Sequence, residues 1–296
     1  MKIIITGCAG FIGFSIAQSL LKAKHKVIGI DNLNNYYSKK LKIKRLNILK
    51  KKKNFKFFNK DFSEKKFLLF ILRQNKVNLI IHLAAEVGVR NSYTNPLSYH
   101  KNNIQSFINI LEFCRLKNSN LIFASSSSVY GSRNKSFFKE DDNTSAPISY
   151  YAATKKCNEI MAYAYSKNYN FSAIGIRFFN VYGPWGRPDM SIFKFTEAMS
   201  KNKKIVIYGT GNQIRDFTYI EDAIGLINKI IQKQKSTLKG KFDIFNSGKG
   251  QCIKIKDLIK IISKKINRLP KIYKSKHQKG DVLFTNSSST KIKKML

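Results

Sequence analysis

Cysteine is scarce. Cys8, Cys114, Cys157 and Cys252 are the only four, and no two of them form a Cys-x-x-Cys pair. Neither a disulfide framework nor a cysteine metal site is signalled. Four scattered histidines add no metal-ligand spacing, so no metal is expected. Such usage fits a reducing, cytoplasmic compartment. Long apolar runs are missing too. Nowhere do about 18 apolar residues follow one another, so no membrane span is expected. The third shortage is of acid: 17 Asp and Glu stand against 55 Lys and Arg, a net charge of +38. That balance first suggests nucleic acid or an anionic membrane surface. The lysines, however, run along the whole chain, and Asn, Ile and Phe are abundant with them. This is a compositional drift rather than a basic arm, and no zinc-finger spacing or RNP-like aromatic run accompanies it. No specific nucleic-acid partner is expected, only salt-sensitive adhesion to polyanions.

What is present is enough for one large domain or two modest ones: 296 residues, 43% of them hydrophobic. Short apolar runs alternate with helical periodicities. KIIIT, KVIGI, VNLIIHLAA, NLIFASSSS and FSAIGIRF read as strands, and FSIAQSLLKA as an amphipathic helix. The strands are dense in Ile, Val and Leu with little alternation, as when both sheet faces are covered. The expected class is α/β: a doubly wound parallel sheet followed by a smaller, mostly C-terminal α/β unit. Beyond about residue 178 the Pro/Gly-rich YGPWGRPDM breaks the pattern. Helices are expected near 191–201 and 221–234 and over KIKDLIKIISKKI. The expected division is 1–178, with a return segment at about 217–246, and 179–296.

The start, MKIIITGCAGFIGFSIAQSL, resembles a signal peptide in its lysine and apolar stretch. Its glycines mark another use. Gly7, Gly10 and Gly13 stand between the first strand and the first helix. A tight turn there places a pyrophosphate on the helix N-terminus, where free N–H groups favour anions. Asp31 ends the second strand, placed to accept from the ribose hydroxyls of an adenosine. Strand, glycines, helix and acid together make the Rossmann fingerprint. A carboxylate at that point repels a 2′-phosphate, so NAD is expected rather than NADP.

In PISYYAATKKCNE, Tyr151 and Lys155 are four apart, hence on one helix face, one turn apart. A free tyrosine has a pKa near 10, and holding it ionised at pH 7 costs roughly 4 kcal/mol. A nearby ammonium and a cationic nicotinamide ring both lower that pKa. Tyr151 can then accept a proton from an alcohol. Ser125 to Ser128 lie at the C-terminal end of a strand, where ligands bind in open α/β sheets. Taken singly, each feature also reads as a helix-surface pair or a polar strand end.

Together they resemble the extended short-chain dehydrogenase/reductases. DNLNNYY, HLAAEVGVRNS, ASSSSVYG, YYAATKKCNEIMAYAYS, RFFNVYGPWGRPDM, FKFTEAM and RDFTYIEDA are similar to UDP-glucuronate 4-epimerases, in order from residue 2 to about 290. The resemblance implies Ser126 as catalytic serine, Tyr151 as base and Lys155 as its partner on the nicotinamide ribose. It implies Phe11 and Ile12 at the pyrophosphate turn, Asn32 beside Asp31, and Asp61 and Phe62 at the adenine. Leu83, Ala84 and Ala85 would line the cofactor, with Asn102 a structural asparagine near it. Arg90, Ser127, Ser128, Asn180, Arg187 and Arg215 would contact a UDP-sugar. A homodimer formed through two helices per subunit is also implied. Related decarboxylases and dehydratases carry acid where this chain has Ser127 and Ser128, which favours epimerisation without bond cleavage. This chain departs from the family in having Asn180 for Thr, Glu86 for Gln and Ser106 for Gly. The family normally continues a few tens of residues further, into a helix packed on the substrate unit. The alternatives are an epimerase of neutral UDP-hexoses or UDP-N-acetylhexosamines, an NAD-binding protein with little activity, and a polyanion-binding surface protein.

Overall fold

The computed structural model describes residues 1–72, 77–133, 137–234, 240–278 and 280–295. Among these described residues there are twelve strands: β1 (Lys2–Thr6), β2 (Lys26–Ile30), β3 (Phe55–Phe58), β4 (Leu79–His82), β5 (Asn120–Ser126), β6 (Ala173–Phe178), β7 (Asn180–Tyr182), β8 (Lys204–Tyr208), β9 (Ile214–Tyr219), β10 (Phe242–Ser247), β11 (Cys252–Lys254) and β12 (Lys271–Ser275). Seven form one sheet in the order β10-β6-β5-β4-β1-β2-β3, all parallel. The chain order reverses between β1 and β4, the crevice at which doubly wound sheets hold ligands.

Side-chain alternation explains why the sheet is covered on both faces. In β1, Ile3 and Ile5 enter one core cluster with Phe14, Ile16 and Leu20 of the helix Phe11–Lys22. Ile4 enters the other, with Phe107, Ile110 and Leu111 of the helix Ser106–Lys117. All three strand isoleucines are fully buried, so a period of two serves two cores rather than core and solvent. The helix Ile220–Gln234 packs Ile220, Ile227 and Ile230 into the first cluster. β10 then pairs with β6, so the sheet is finished by late sequence.

A further core cluster lies among the later elements. Phe195 and Met199 of the helix Ser191–Ser200 meet Ile205 and Ile207 of β8 and Leu258, Ile259 and Ile262 of the helix Ile255–Ile266. β12 pairs with β8, and β9 runs between β11 and β7. The segment after β12 returns to the start of β9: the Ile214 amide donates to the Leu283 carbonyl, and the Thr285 amide donates to the Ile214 carbonyl. Buried Asp216 accepts from the amides of Lys249, Gly250 and Ser287 and from the Ser287 hydroxyl. Three amides and a hydroxyl satisfy a carboxylate without a cation. The short helix Thr290–Met295 follows, its Ile292 in the first core cluster.

Candidate active site

The turn after β1 has room for backbone only. Gly7 has φ +72°, and a Cβ there would stand 2.8 Å from the Ala84 nitrogen. A Cβ on Gly13 would meet the Gly7 carbonyl oxygen at 2.1 Å. Gly10 caps the helix with no side chain of its own. Gly10, Phe11, Ile12 and Gly13 therefore present a bare helix N-terminus to the cavity they line. Asp31, buried at the end of β2, accepts from the Ala9 amide at 3.0 Å and the Leu33 amide at 2.9 Å. Each oxygen keeps a lone-pair site for a hydroxyl. Asn32 donates to Asp61 at 3.2 Å, beside buried Phe62. Leu83 and Ala84 donate their amides to Thr6 Oγ1, each at 3.2 Å, which fixes the wall that continues through Ala85. A dinucleotide fits this cradle: glycines at each close approach, amides for a diphosphate and a carboxylate for ribose hydroxyls.

The reactive groups stand further along the same cleft. β5 delivers Ser125 and Ser126, and the tight turn Ser127–Tyr130 folds Ser128 back, its hydroxyl 3.1 Å from that of Ser126. The helix Tyr150–Tyr169 starts where the Ser149 hydroxyl accepts from the Ala152 amide at 3.1 Å. This places Tyr151 in its first turn, half-buried, and Lys155 one turn on, 2% exposed. The Lys155 ammonium donates to the Ala124 carbonyl at 2.9 Å and sits 6.0 Å from the centre of the Tyr151 ring. Burial pushes its pKa down to about 8. Burial pushes the Tyr151 phenol up from its ordinary value, while a hydrogen bond with Ser126 and the charge of Arg187 pull the other way. Ser126 and Arg187 ease loss of the phenol proton, with the Lys155 ammonium close to the same ring.

One cavity of about 640 Å³ takes in every cofactor, catalytic and substrate residue expected from the sequence, from Gly7 at one end to Arg215 at the other. That volume suits a cofactor with a substrate against it. Residues 3–248, most of the chain, match the family model described as NAD dependent epimerase/dehydratase family.

The chain belongs to the NAD-dependent epimerase/dehydratase family.

Its relatives extend the match over the remaining length. It is 40% identical over 296 residues to the UDP-glucuronate 4-epimerase of Thermodesulfobacterium geofontis, covering 99% of this chain and 89% of that one. It is 41% identical over 296 residues to Protein CapI of Staphylococcus aureus, covering 95% and 88%. Among solved structures, it is similar to the UDP-glucuronic acid 4-epimerase from Bacillus cereus in complex with UDP-glucuronic acid and NAD, with TM-score 0.93, 31% identity and coverage of 100% and 93%.

The far end of this epimerase/dehydratase cavity holds three arginines in different settings. Arg187 forms a two-point ion pair with Asp189, at 3.0 and 2.5 Å, and lies over the Tyr36 ring. Arg215 donates to Asp281 at 2.6 Å. Arg90, more exposed, lies over the Tyr208 ring. Asn180 lines the cavity from β7. Asn102 lines it from an irregular π-turn, His100–Gln105. Asn102 donates to the Glu86 carboxylate and the Ser98 hydroxyl, and its neighbour Asn103 is fully buried between both backbone polar groups of Glu86 and the Thr154 hydroxyl. Glu86 turns from the cavity toward Ser98 and Asn102. Ser106 bonds the Asn102 carbonyl at the start of its helix.

Several contributors escaped the sequence reading. Arg45, fully buried, donates to the Ala9, Trp185 and Gly186 carbonyls and to the Tyr37 hydroxyl. It joins the cofactor turn to the loop that bears Arg187. Lys42, one turn earlier, lines the cavity and donates to Asn34. A signal for both existed: they sit at helical spacing among Leu46 and Leu49, on the buried stripe of the helix Lys39–Lys50. Behind the serines, Glu159 accepts from Ser125 at 2.6 Å and from Arg177 at two points, both 2.9 Å.

Proposed function

We propose that this chain interconverts UDP-glucuronate and UDP-galacturonate. Tyr151 accepts the proton of the sugar's 4-hydroxyl. Ser126 shares that hydrogen bond, and Lys155, fixed by Ala124, bonds the nicotinamide ribose. NAD, for which Gly7, Gly10, Gly13 and Asp31 build the cradle, would when bound serve as acceptor and then donor of the carbon-4 hydride, so that there would be no net redox change. Arg90 and Arg215 hold the diphosphate while the 4-keto sugar turns over. The 4-keto uronate is a β-keto acid, prone to lose carbon dioxide. Ser127 and Ser128 offer neutral hydroxyls and no base for the proton at carbon 5, while Arg187 bonds the carboxylate.

The observation that carries this reading is that Arg187 lines the same cavity as Tyr151, Ser126, Ser127 and Ser128. An acid bound there sits beside the reacting hydroxyl. The Thermodesulfobacterium geofontis relative and the Bacillus cereus complex support the same substrate. Neutral UDP-hexoses are the second reading, since Asn180 brings an uncharged amide to the same wall.

The test is incubation of the purified protein with UDP-glucuronate and, separately, UDP-glucose, followed by separation of 4-epimers and any UDP-pentose. Arg187→Ala is expected to lower turnover of the acid far more than turnover of the neutral sugar. Tyr151→Phe is expected to lower both rates by about 10²- to 10⁴-fold. A wild type as inert as Tyr151→Phe would overturn the reading.

We further propose that residues 1–178 with 217–246 form the NAD unit and 179–296 the sugar unit. The cytoplasm is the proposed site of action. Among the described residues no helix is long and apolar enough to cross a membrane. A homodimer is proposed through the helices Ser106–Lys117 and Tyr150–Tyr169, whose Leu116, Ile160 and Tyr163 are exposed.

A further inference from the structure

Arg187 is the cation assigned above to the sugar carboxylate, yet one face of it is already taken. Asp189, two residues on, holds its Nε at 3.0 Å and one Nη at 2.5 Å. This is the side-on, two-point geometry of the strongest arginine–carboxylate pairs. Both side chains keep some access to the cavity, at 22% and 30% exposed, and both line it. The guanidinium is planar with five donors. The Asp189 edge uses two, so an incoming carboxylate must take the remaining end or displace Asp189. Either way it meets a second negative charge a few ångströms off, where repulsion is weakly screened.

An epimerase has reason to hold this carboxylate loosely. The sugar ring must turn over between proton loss and proton return, so a carboxylate clamped by an unopposed arginine would anchor the ring in one orientation.

We propose that Asp189 is a specificity-determining counter-carboxylate: by competing for Arg187 it weakens the hold on the C6 acid enough to let the ring turn. This rests on the UDP-glucuronate reading above. It assigns Asp189 a role opposite to that of a loop strut, because removing its charge should tighten binding rather than loosen it.

The experiment measures the dissociation constants of UDP-glucuronate and UDP-glucose by calorimetry, and kcat for both, on the NAD-loaded protein. For Asp189→Asn the expected result is UDP-glucuronate binding about tenfold tighter, with a several-fold lower kcat for the acid. The UDP-glucose dissociation constant should stay within about twofold of wild type. A second pair guards against a misfolded variant. Arg187→Met leaves Asp189 facing the acid unopposed and should weaken UDP-glucuronate binding. Adding Asp189→Asn to Arg187→Met should recover part of that loss. Weaker binding of both sugars in Asp189→Asn, an unchanged acid-to-neutral ratio, or no recovery in the double variant would overturn the proposal while leaving the functional reading intact. A wild type that does not bind UDP-glucuronate would sink both.

Discussion

Lys155 carries a charge that its surroundings resist. Its ammonium is almost wholly buried, with the Ala124 carbonyl as its hydrogen-bond partner and no acid paired to it among the described residues. The fall in pKa from 10.5 to about 8 corresponds to about 3 kcal/mol. The sign follows from proton counting. Between about pH 8 and 10.5 the unfolded chain binds the proton and the folded one does not, so stability rises with pH across that window. Below it both states are protonated and the cost is complete. In denaturant titrations the stability difference between wild type and Lys155→Met should therefore shift in favour of wild type as pH rises from about 8 to 10.5. A difference that stays flat would mean the lysine is paired. Tyr151 and Lys155 were legible in the sequence because a helix fixes what four residues' separation means. Asp189 was not. Its importance depends on which guanidinium it meets, and a loop imposes no periodicity from which to read that.

The elements that frame the cleft are held by buried polar anchors. Arg45 ties the helix Lys39–Lys50 to the cofactor turn and to the Trp185–Gly186 loop through three carbonyls. Arg45→Met strands those carbonyls, at a cost of about 3 kcal/mol. The expected outcome is a lower Tm together with a raised KM for the nucleotide sugar, because the Arg187 loop loses its tether. A lower Tm with unchanged KM would confine Arg45 to stability. Glu159 and Arg177, both 3% exposed, brace β5 and β6 behind the serines. Burial pushes the Glu159 carboxyl up, but hydrogen bonds and charge from Arg177 outweigh it, so the pKa lies below its ordinary value. Its stabilisation is present above the ordinary carboxylate pKa and is lost as pH falls through the lowered one. Glu159→Gln should cost about 3 kcal/mol at pH 7, and the gap should close in acid. Urea midpoints at pH 7 and in acid measure this. Long periodic helices and dense apolar strands were readable from the sequence. β3, the π-turn His100–Gln105 and the short helices Asn91–Thr94 and Pro96–Tyr99 were not. These are too short for a period to establish, and packing decides them.

Across the whole molecule the charge of +38 works against compactness. Raising salt from about 10 to about 150 mM should raise Tm by several degrees and release the protein from heparin. Retention on heparin above physiological salt would revive a polyanion-binding role. The doubly wound plan was readable because strand–helix alternation leaves few alternatives. The place where the late strand β10 enters, beside β6, depends on tertiary pairing that no local pattern encodes.

The central claim is that the hydrogen at carbon 4 leaves the sugar and returns to the same carbon from the other side. UDP-glucuronate deuterated at carbon 4 tests it most directly, with the product epimer analysed by mass and NMR in ordinary water. The expected result is UDP-galacturonate that keeps its deuterium at carbon 4, with no pentose formed. Epimer carrying solvent hydrogen at that carbon, or a decarboxylated product, would contradict the account.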